Sequence, residues 1–232
     1  MTGNSDFLCG AERFMSLGDK DKHEHIKLNS PINNGSQSRR RPLRGIGIND
    51  ADYCVNLTIE GKQFKCPAYT TWVNMIVRVY DKKIHMKQPT YDGVTVCDDW
   101  HKFTSFMHWW VDNQVDGWHI DKDLLSDSRC YSPETCIFVP QWLNSFITDH
   151  GAARGELPIG VSLERSTGRF KAQCRDPIAM DIGYLGLFDT PESAHTAWRG
   201  RKLDLSLKLK KFMDEIDIRI YPRVVEIINC AK

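Results

Sequence analysis

The stretch GRFKAQCRDP, residues 168–177, constrains the fold of this chain more than any other. Arg169, Lys171, Gln173 and Arg175 alternate there with Phe170, Ala172 and Cys174. Successive strand side chains point to opposite faces, so a strand here carries a long polar, mostly basic row on one face. Its other face is small and apolar and needs a cover. Two more short strand patterns flank it, IGVSLER (159–165) and GYLGLF (183–188). The sequence DTPESAHTAWRGRKLDLSLKLKKFM then predicts a helix with Thr190 as N-cap and Pro191 at its first position. Ala194, Ala197, Trp198, Leu205, Leu209 and Phe212 form its apolar stripe. The expectation is an α+β module with a helix laid across one face of a three-stranded antiparallel sheet.

A twisted sheet or ribbon can enter the major groove of duplex DNA, where each base pair shows a distinct donor and acceptor pattern. Arginine suits guanine and glutamine suits adenine, while lysine mostly contacts phosphate. Periodicity alone leaves two readings open: a groove-reading face, or a solvated face on an ordinary α+β module. The charge distribution bears on both. The whole chain carries a formal net charge of +1. From Gly151 to Met213, however, eleven Lys/Arg stand against seven Asp/Glu, and acids gather upstream in CDDW and HIDKDLLSD.

The run GVSLERSTGRFKAQCRDP…GYLGLFDTPESAHTAW resembles an AP2-type DNA-binding domain over about fifty residues. Gly160-Val161, the basic strand, Leu185-Gly186, Phe188-Asp189-Thr190, Glu192 and Ala194 match that pattern in order. The resemblance implies that the sheet, not the helix, lies in the groove. It points to Arg165, Arg169, Lys171, Gln173 and Arg175 as DNA contacts. Tyr184 stands at the aromatic position before Leu-Gly that contributes to DNA contact in that family.

Upstream, GIGINDADYCVNLTIEGKQFKCP predicts a hairpin turning at Glu60-Gly61. Helical spacing of Trp72, Met75, Ile76, Val79 and Tyr80 predicts one buried helix. Trp100, Phe103, Phe106, Met107 and Trp110 predict another. HIDKDLL and TCIFV read as two strands joined by the loop SDSRCYSPE, and PQWLNSFITDH as a helix with Pro140 in its first turn. His119, Asp121 and Asp123 are two apart and share one strand face. Phosphodiester hydrolysis needs a base to activate water and a divalent ion to stabilise charge, and Mg²⁺ favours carboxylate and water oxygens. An imidazole and two carboxylates are such a set. By themselves these residues fit a solvated acidic turn as well.

VCDDWHKFTSFMHWW…GWHIDKDLL…YSPETCIFVPQWLN is similar to the HNH-type homing endonucleases of tailed phages, particularly those fused to AP2 modules. The similarity takes in nearly everything from about residue 45 to 213. It implies a ββα metal finger with flanking helices that cuts or nicks duplex DNA with Mg²⁺ (or Mn²⁺). Asp121 falls where the general pattern has the acid preceding its catalytic histidine, and Lys122 stands where that histidine would be. Asp123 completes the DKD form of the phage subgroup, and Asn144 matches the closing residue on the helix. Ser128 takes a loop position that is often asparagine. The resemblance therefore implies a catalytic set of His119, Asp121, Lys122, Asp123 and Asn144, with Asp121, Asp123 and Asn144 as metal ligands. His119 is the nearest conventional base. The runner-up expectation is a non-catalytic DNA-binding or regulatory protein derived from such an enzyme.

These readings divide the chain into a mobile polar and basic arm (1–44), a nuclease domain (45–150), the AP2-like domain (151–213) and a C-terminal extension (214–232). Arg39, Arg40, Arg41 and Arg44 of the arm are placed to track phosphates. HGAARGELP (150–158) reads as the linker. No apolar run approaches the roughly 20 residues that span a bilayer, and no export signal opens the sequence. Eight cysteines without a CxxC pair are expected to remain free thiols. The expected location is the bacterial host cytoplasm, with double-stranded DNA as partner and no membrane.

Overall fold

The computed structural model describes residues 10–147 and 156–231, a mixed α+β chain. It divides into two compact units. The first holds the described residues of Met1–Asp123 together with Ser128–Phe138; the second holds Leu124–Asp127 and the described residues of Val139–Lys232. The division thus falls at Phe138/Val139 rather than at 150/151. The expected linker lies mostly outside the described residues.

In the first unit the chain runs α1 (Gly10–Met15), α2 (Asp19–Asn29), α3 (Asn34–Ser38), β1 (Asn56–Ile59), β2 (Lys62–Lys65) and α4 (Pro67–Tyr80). Then come α5 (Lys82–Lys87), β3 (Thr95–Val96), α6 (Phe103–Asn113), β4 (Trp118–Asp121) and β5 (Cys130–Tyr131). Strand β6 (Ile137–Pro140) contains the division and pairs with β4. The hairpin turns at Glu60-Gly61 with Asn56 opposite Lys65. Helix α4 buries Trp72, Met75, Ile76 and Val79 against Phe103, Phe106 and Trp110 of α6, and the Trp72 indole donates to the Trp100 carbonyl at 2.7 Å. Trp100 belongs to a short 3-10 turn (Asp98–His101) ahead of α6, because the chain is still turning there. The expected loop after β4 holds β5, which pairs in parallel with β3. Two residues are too few to show a period.

Residues 10–38 are not a mobile arm. Phe14 and Ile26 are buried in the core, with the Phe14 ring 4.7 Å from Phe64. Burying each stabilises the unit by about 2 kcal/mol. The Glu60 carboxylate accepts from the Gly10 and Ala11 amides at the start of α1. Arg40 is a structural residue too: its guanidinium donates to the carbonyls of Asn49, Ala51 and Tyr53 at 3.0, 2.6 and 2.7 Å. Arg44 pairs with Asp81 at 2.6 Å. Polar composition concealed a segment that needs only a few apolar side chains to dock.

The second unit contains α7 (Gln141–Ile147), β7 (Val161–Glu164), β8 (Arg169–Gln173), β9 (Tyr184–Phe188), α8 (Pro191–Ile216) and α9 (Ile220–Cys230). Pro140 closes β6, so α7 starts one residue later than the first-turn proline reading required. The three strands form an antiparallel sheet in the order β7-β8-β9. Thr190 caps α8 by accepting from the Ser193 amide at 3.2 Å, with Pro191 following it. Helix α8 covers one face of the sheet, burying Ala194 against Val161 and Ala172. Trp198 occupies the space that a Cβ on Gly160 would fill, and Gly160 has φ +80°, so only glycine fits there. Farther along α8, Leu205, Leu209 and Met213 are buried; Phe212, expected in that stripe, is exposed on the neighbouring position. Residues 214–231 are an integral layer: α8 runs on to Ile216, and α9 packs along it with Ile220, Val224 and Ile228 buried.

Candidate nucleic-acid interface and acidic turn

The sheet presents two chemically different faces. On β8 the helix side carries half-buried Phe170 and fully buried Ala172, and Cys174 just beyond is buried as well. The open side carries exposed Arg169 with half-buried Lys171 and Gln173. Register places Ser162 and Leu187 beside Lys171, Glu164 beside Arg169, and Tyr184 beside Gln173. Strand β8 ends at Gln173, which still pairs with Tyr184 across a register shift on the β9 side. Arg175 therefore stands past the strand and borders a cavity with Trp142, Phe146 and Lys202. Arg165 is exposed in the β7–β8 turn, and Tyr184 is exposed at the start of β9.

Arg169 pairs with Asp189 at 2.9 Å, both groups well exposed. An exposed pair of this kind is worth about 0–1 kcal/mol and yields readily to a phosphate or a base edge. Among the described residues no carboxylate pairs with Arg165, Lys171 or Arg175. Glu164 is the acidic interruption on this face, and its carboxylate accepts from the Ser166 hydroxyl at 3.1 Å. The arrangement can offer a fork of donors, a point charge and an amide in one row.

The turn after β4 is built differently. Asp121 and Lys122 are buried, whereas His119 is exposed on the strand. The Asp121 carboxylate accepts from the Asp123 amide at 2.8 Å. The Lys122 ammonium pairs with the Asp123 carboxylate and lies 5.8 Å from the centre of the Tyr131 ring. Burial, with Asp121 nearby, pushes the Cys136 thiol up to about 12, so it remains protonated. Cys130 bonds through its amide to the Ser128 hydroxyl at 3.2 Å, placing Ser128 in the loop that leads to β5. Asn144 lies on α7 in the second unit.

Among the described residues no three His, Cys, Asp or Glu side chains group to hold a metal ion. The donor chemistry of Asp121 and Asp123 still fits Mg²⁺ in one respect. That ion keeps several waters and binds through one or two carboxylates plus substrate phosphates. The seven described cysteines are free, as expected. No described helix is long and apolar enough to cross a membrane.

Two features escaped the sequence reading. Lys202 of α8 lies 3.7 Å from the centre of the Phe146 ring, and burial lowers its pKa to about 8. Its place within a charged run on the helix gave no signal. The β8–β9 loop exposes Ile178, Met180 and Ile182, and Tyr184 follows them at the start of β9. Their strict alternation was a visible signal, hidden by the absence of a strand. No protein-family model, curated protein or solved structure matches the chain.

Proposed function

We propose that this protein binds duplex DNA through the open face of β7–β9 and hydrolyses phosphodiester bonds as an HNH-like, phage-type endonuclease. The observation that carries the binding reading is the Arg169, Lys171, Gln173 row, left open to solvent on a sheet whose other face is closed by α8. Arg169 donates to a base edge, Lys171 neutralises phosphate, and Gln173 with Tyr184 reads the far end of the row. Supporting the hydrolytic reading, β4, β6 and α7 follow one another in strand–loop–strand–helix order, with Asp121 and Asp123 where the first strand ends.

Asp121 and Asp123 would hold the Mg²⁺, and Asn144 belongs to the same proposed set. When bound there, the ion would supply charge stabilisation at the scissile phosphate and leaving oxygen. His119, exposed at the strand edge, accepts the proton of the attacking water. Lys122 holds Asp123 in place until substrate arrives.

A second reading is a DNA-binding protein that does not cut. It is favoured by the Lys122–Asp123 pair, which commits a carboxylate that the metal would need. One experiment separates the two. Full-length protein is incubated with phage and plasmid duplexes and Mg²⁺ or Mn²⁺, and nicked or linear product is scored beside a salt-dependent gel shift. Product supports the endonuclease. A shift without product supports the second reading, and no shift refutes both.

A further inference from the structure

Between α7, α8 and the segment that follows β8 lies a cavity of about 350 Å³. Helix α7 lines it with Trp142 and Phe146, the segment after β8 with Arg175, Pro177 and Met180, and α8 with Lys202. Hollows of roughly 300–1,000 Å³ with mostly apolar walls and a few fixed polar groups are the sites that take small molecules. The walls here are set in advance. The Asp176 carboxylate accepts from the amides of Ile178 at 2.9 Å and Ala179 at 3.0 Å. Arg201 of α8 donates to its other oxygen at 3.2 Å. Those bonds fix the chain that carries Pro177 and Met180. Met180 is held at φ +55°, a conformation costly for a side chain of its kind.

The charges of the cavity select its ligand. Arg175 and Lys202 both border it, and no Asp or Glu does among the described residues. Neither cation has a carboxylate partner among those residues, and the adjacent Asp176 is committed to Arg201. Lys202 is the more telling of the two. It is half-buried, with its ammonium 3.7 Å from the centre of the Phe146 ring and 5.8 Å from that of Trp198, so aromatic faces stand where a counter-ion would. Desolvation lowers its pKa to about 8, and an anion beside it would oppose that shift. We propose that this cavity binds a small anion carried on an apolar body, an aryl carboxylate or aryl phosphate. Arg175 and Lys202 take the anionic group, and Trp142, Phe146, Pro177 and Met180 surround the ring. The site shares no residue with the Arg169, Lys171, Gln173 row, so it stands whether or not the sheet binds DNA.

The test uses full-length protein at a pH of about 8, with pyridoxal 5′-phosphate as the probe, a ring that bears both a phosphate and an aldehyde. The neutral Lys202 amine attacks the aldehyde carbon and water leaves to give an imine. Borohydride then adds hydride to that carbon while the nitrogen takes a proton, which fixes the label for peptide mapping. Lys202 should be labelled saturably and at least about tenfold faster than the exposed lysines. Phenylacetate and phenyl phosphate should protect it, and the better protector identifies the anionic group. Inorganic phosphate or benzyl alcohol, each only half of the ligand, should protect at least about tenfold less well. Arg175→Ala should raise the half-saturating probe concentration about three- to tenfold. Met180→Asp, whose carboxylate repels the anion and whose side chain tolerates the left-handed backbone, should abolish saturation. Labelling of Lys202 at the rate of exposed lysines overturns the proposal. So does equal protection by inorganic phosphate and phenyl phosphate, or undiminished saturation in both variants. Protection of Lys202 that rises with protein concentration alone would show a second copy covering the cavity, and refutes it as well.

Discussion

The open face of the β7–β9 sheet and the turn after β4 carry similar side chains in opposite states. On the sheet, Lys171 stands without a carboxylate partner among the described residues and Arg169 has only an exposed one. In the turn, Lys122 is buried and paired with Asp123, while the Asp121 carboxylate holds the Asp123 amide. Charges left unneutralised on a surface are available to a polyanion at no cost of breaking an internal contact. Charges that neutralise each other must be separated before either can serve an external ligand. On the proposed reading, the sheet would bind with its cations as they stand, whereas at the turn Lys122 already engages one oxygen of Asp123.

The largest expected effect tests the turn. Asp121→Asn and Asp123→Asn should lower the rate of cleavage by about 10²–10⁴-fold, with duplex affinity nearly unchanged. Loss of affinity in parallel with cleavage, measured by gel shift beside product formation, would show that the two places are not separate in function.

The closed face of the same sheet provides the next contrast. Lys202 is half-buried against Phe146, and desolvation lowers its pKa to about 8. Between about 8 and the ordinary lysine value near 10.5, the unfolded chain binds more protons than the folded one. Stability should therefore rise with pH across that window, by up to about 3 kcal/mol. Lys202→Met should stabilise the protein at pH 7 and flatten the rise, as read from urea unfolding at both pH values. A steeper rise in the variant would mean that this amine is not the desolvated group.

Smaller effects sharpen the binding face. Arg169→Ala should weaken duplex binding by about 1–3 kcal/mol and relax preference at one base position. Thr190→Ala removes the cap of the helix that backs the sheet and should cost about 1 kcal/mol in thermal or urea unfolding. Lys171→Ala should weaken all duplexes evenly and reduce the salt slope by about one. Equal affinity for the Arg169 and Lys171 variants and the natural protein would leave the open face with no role in binding.

Several features were legible in the sequence because short-range patterns dictate them. Alternation over 169–173 gives the two faces of β8, since side-chain direction in a strand has period two. Thr190-Pro191 gives the start of α8, because the cap and the ring act within one turn. Glu60-Gly61 gives the hairpin, and the spacing of Trp72, Met75, Ile76 and Val79 gives the buried side of α4.

Other features depend on partners distant in sequence, and only the tertiary structure decided them. Residues 10–44 looked like part of a tail, but Phe14 meets Phe64, Glu60 caps α1, and Arg40 serves three carbonyls between residues 49 and 53. The alternating row reads through to Arg175, yet β8 ends at Gln173 and Arg175 borders a cavity with Trp142, Phe146 and Lys202. At HIDKD the sequence supplies the carboxylates and the lysine, but pairing them is a matter of where the chain turns. Residue type fixes what a side chain can do. Folding decides whether its charge faces water, an aromatic ring or an opposite charge, because those neighbours come from segments that no local pattern connects.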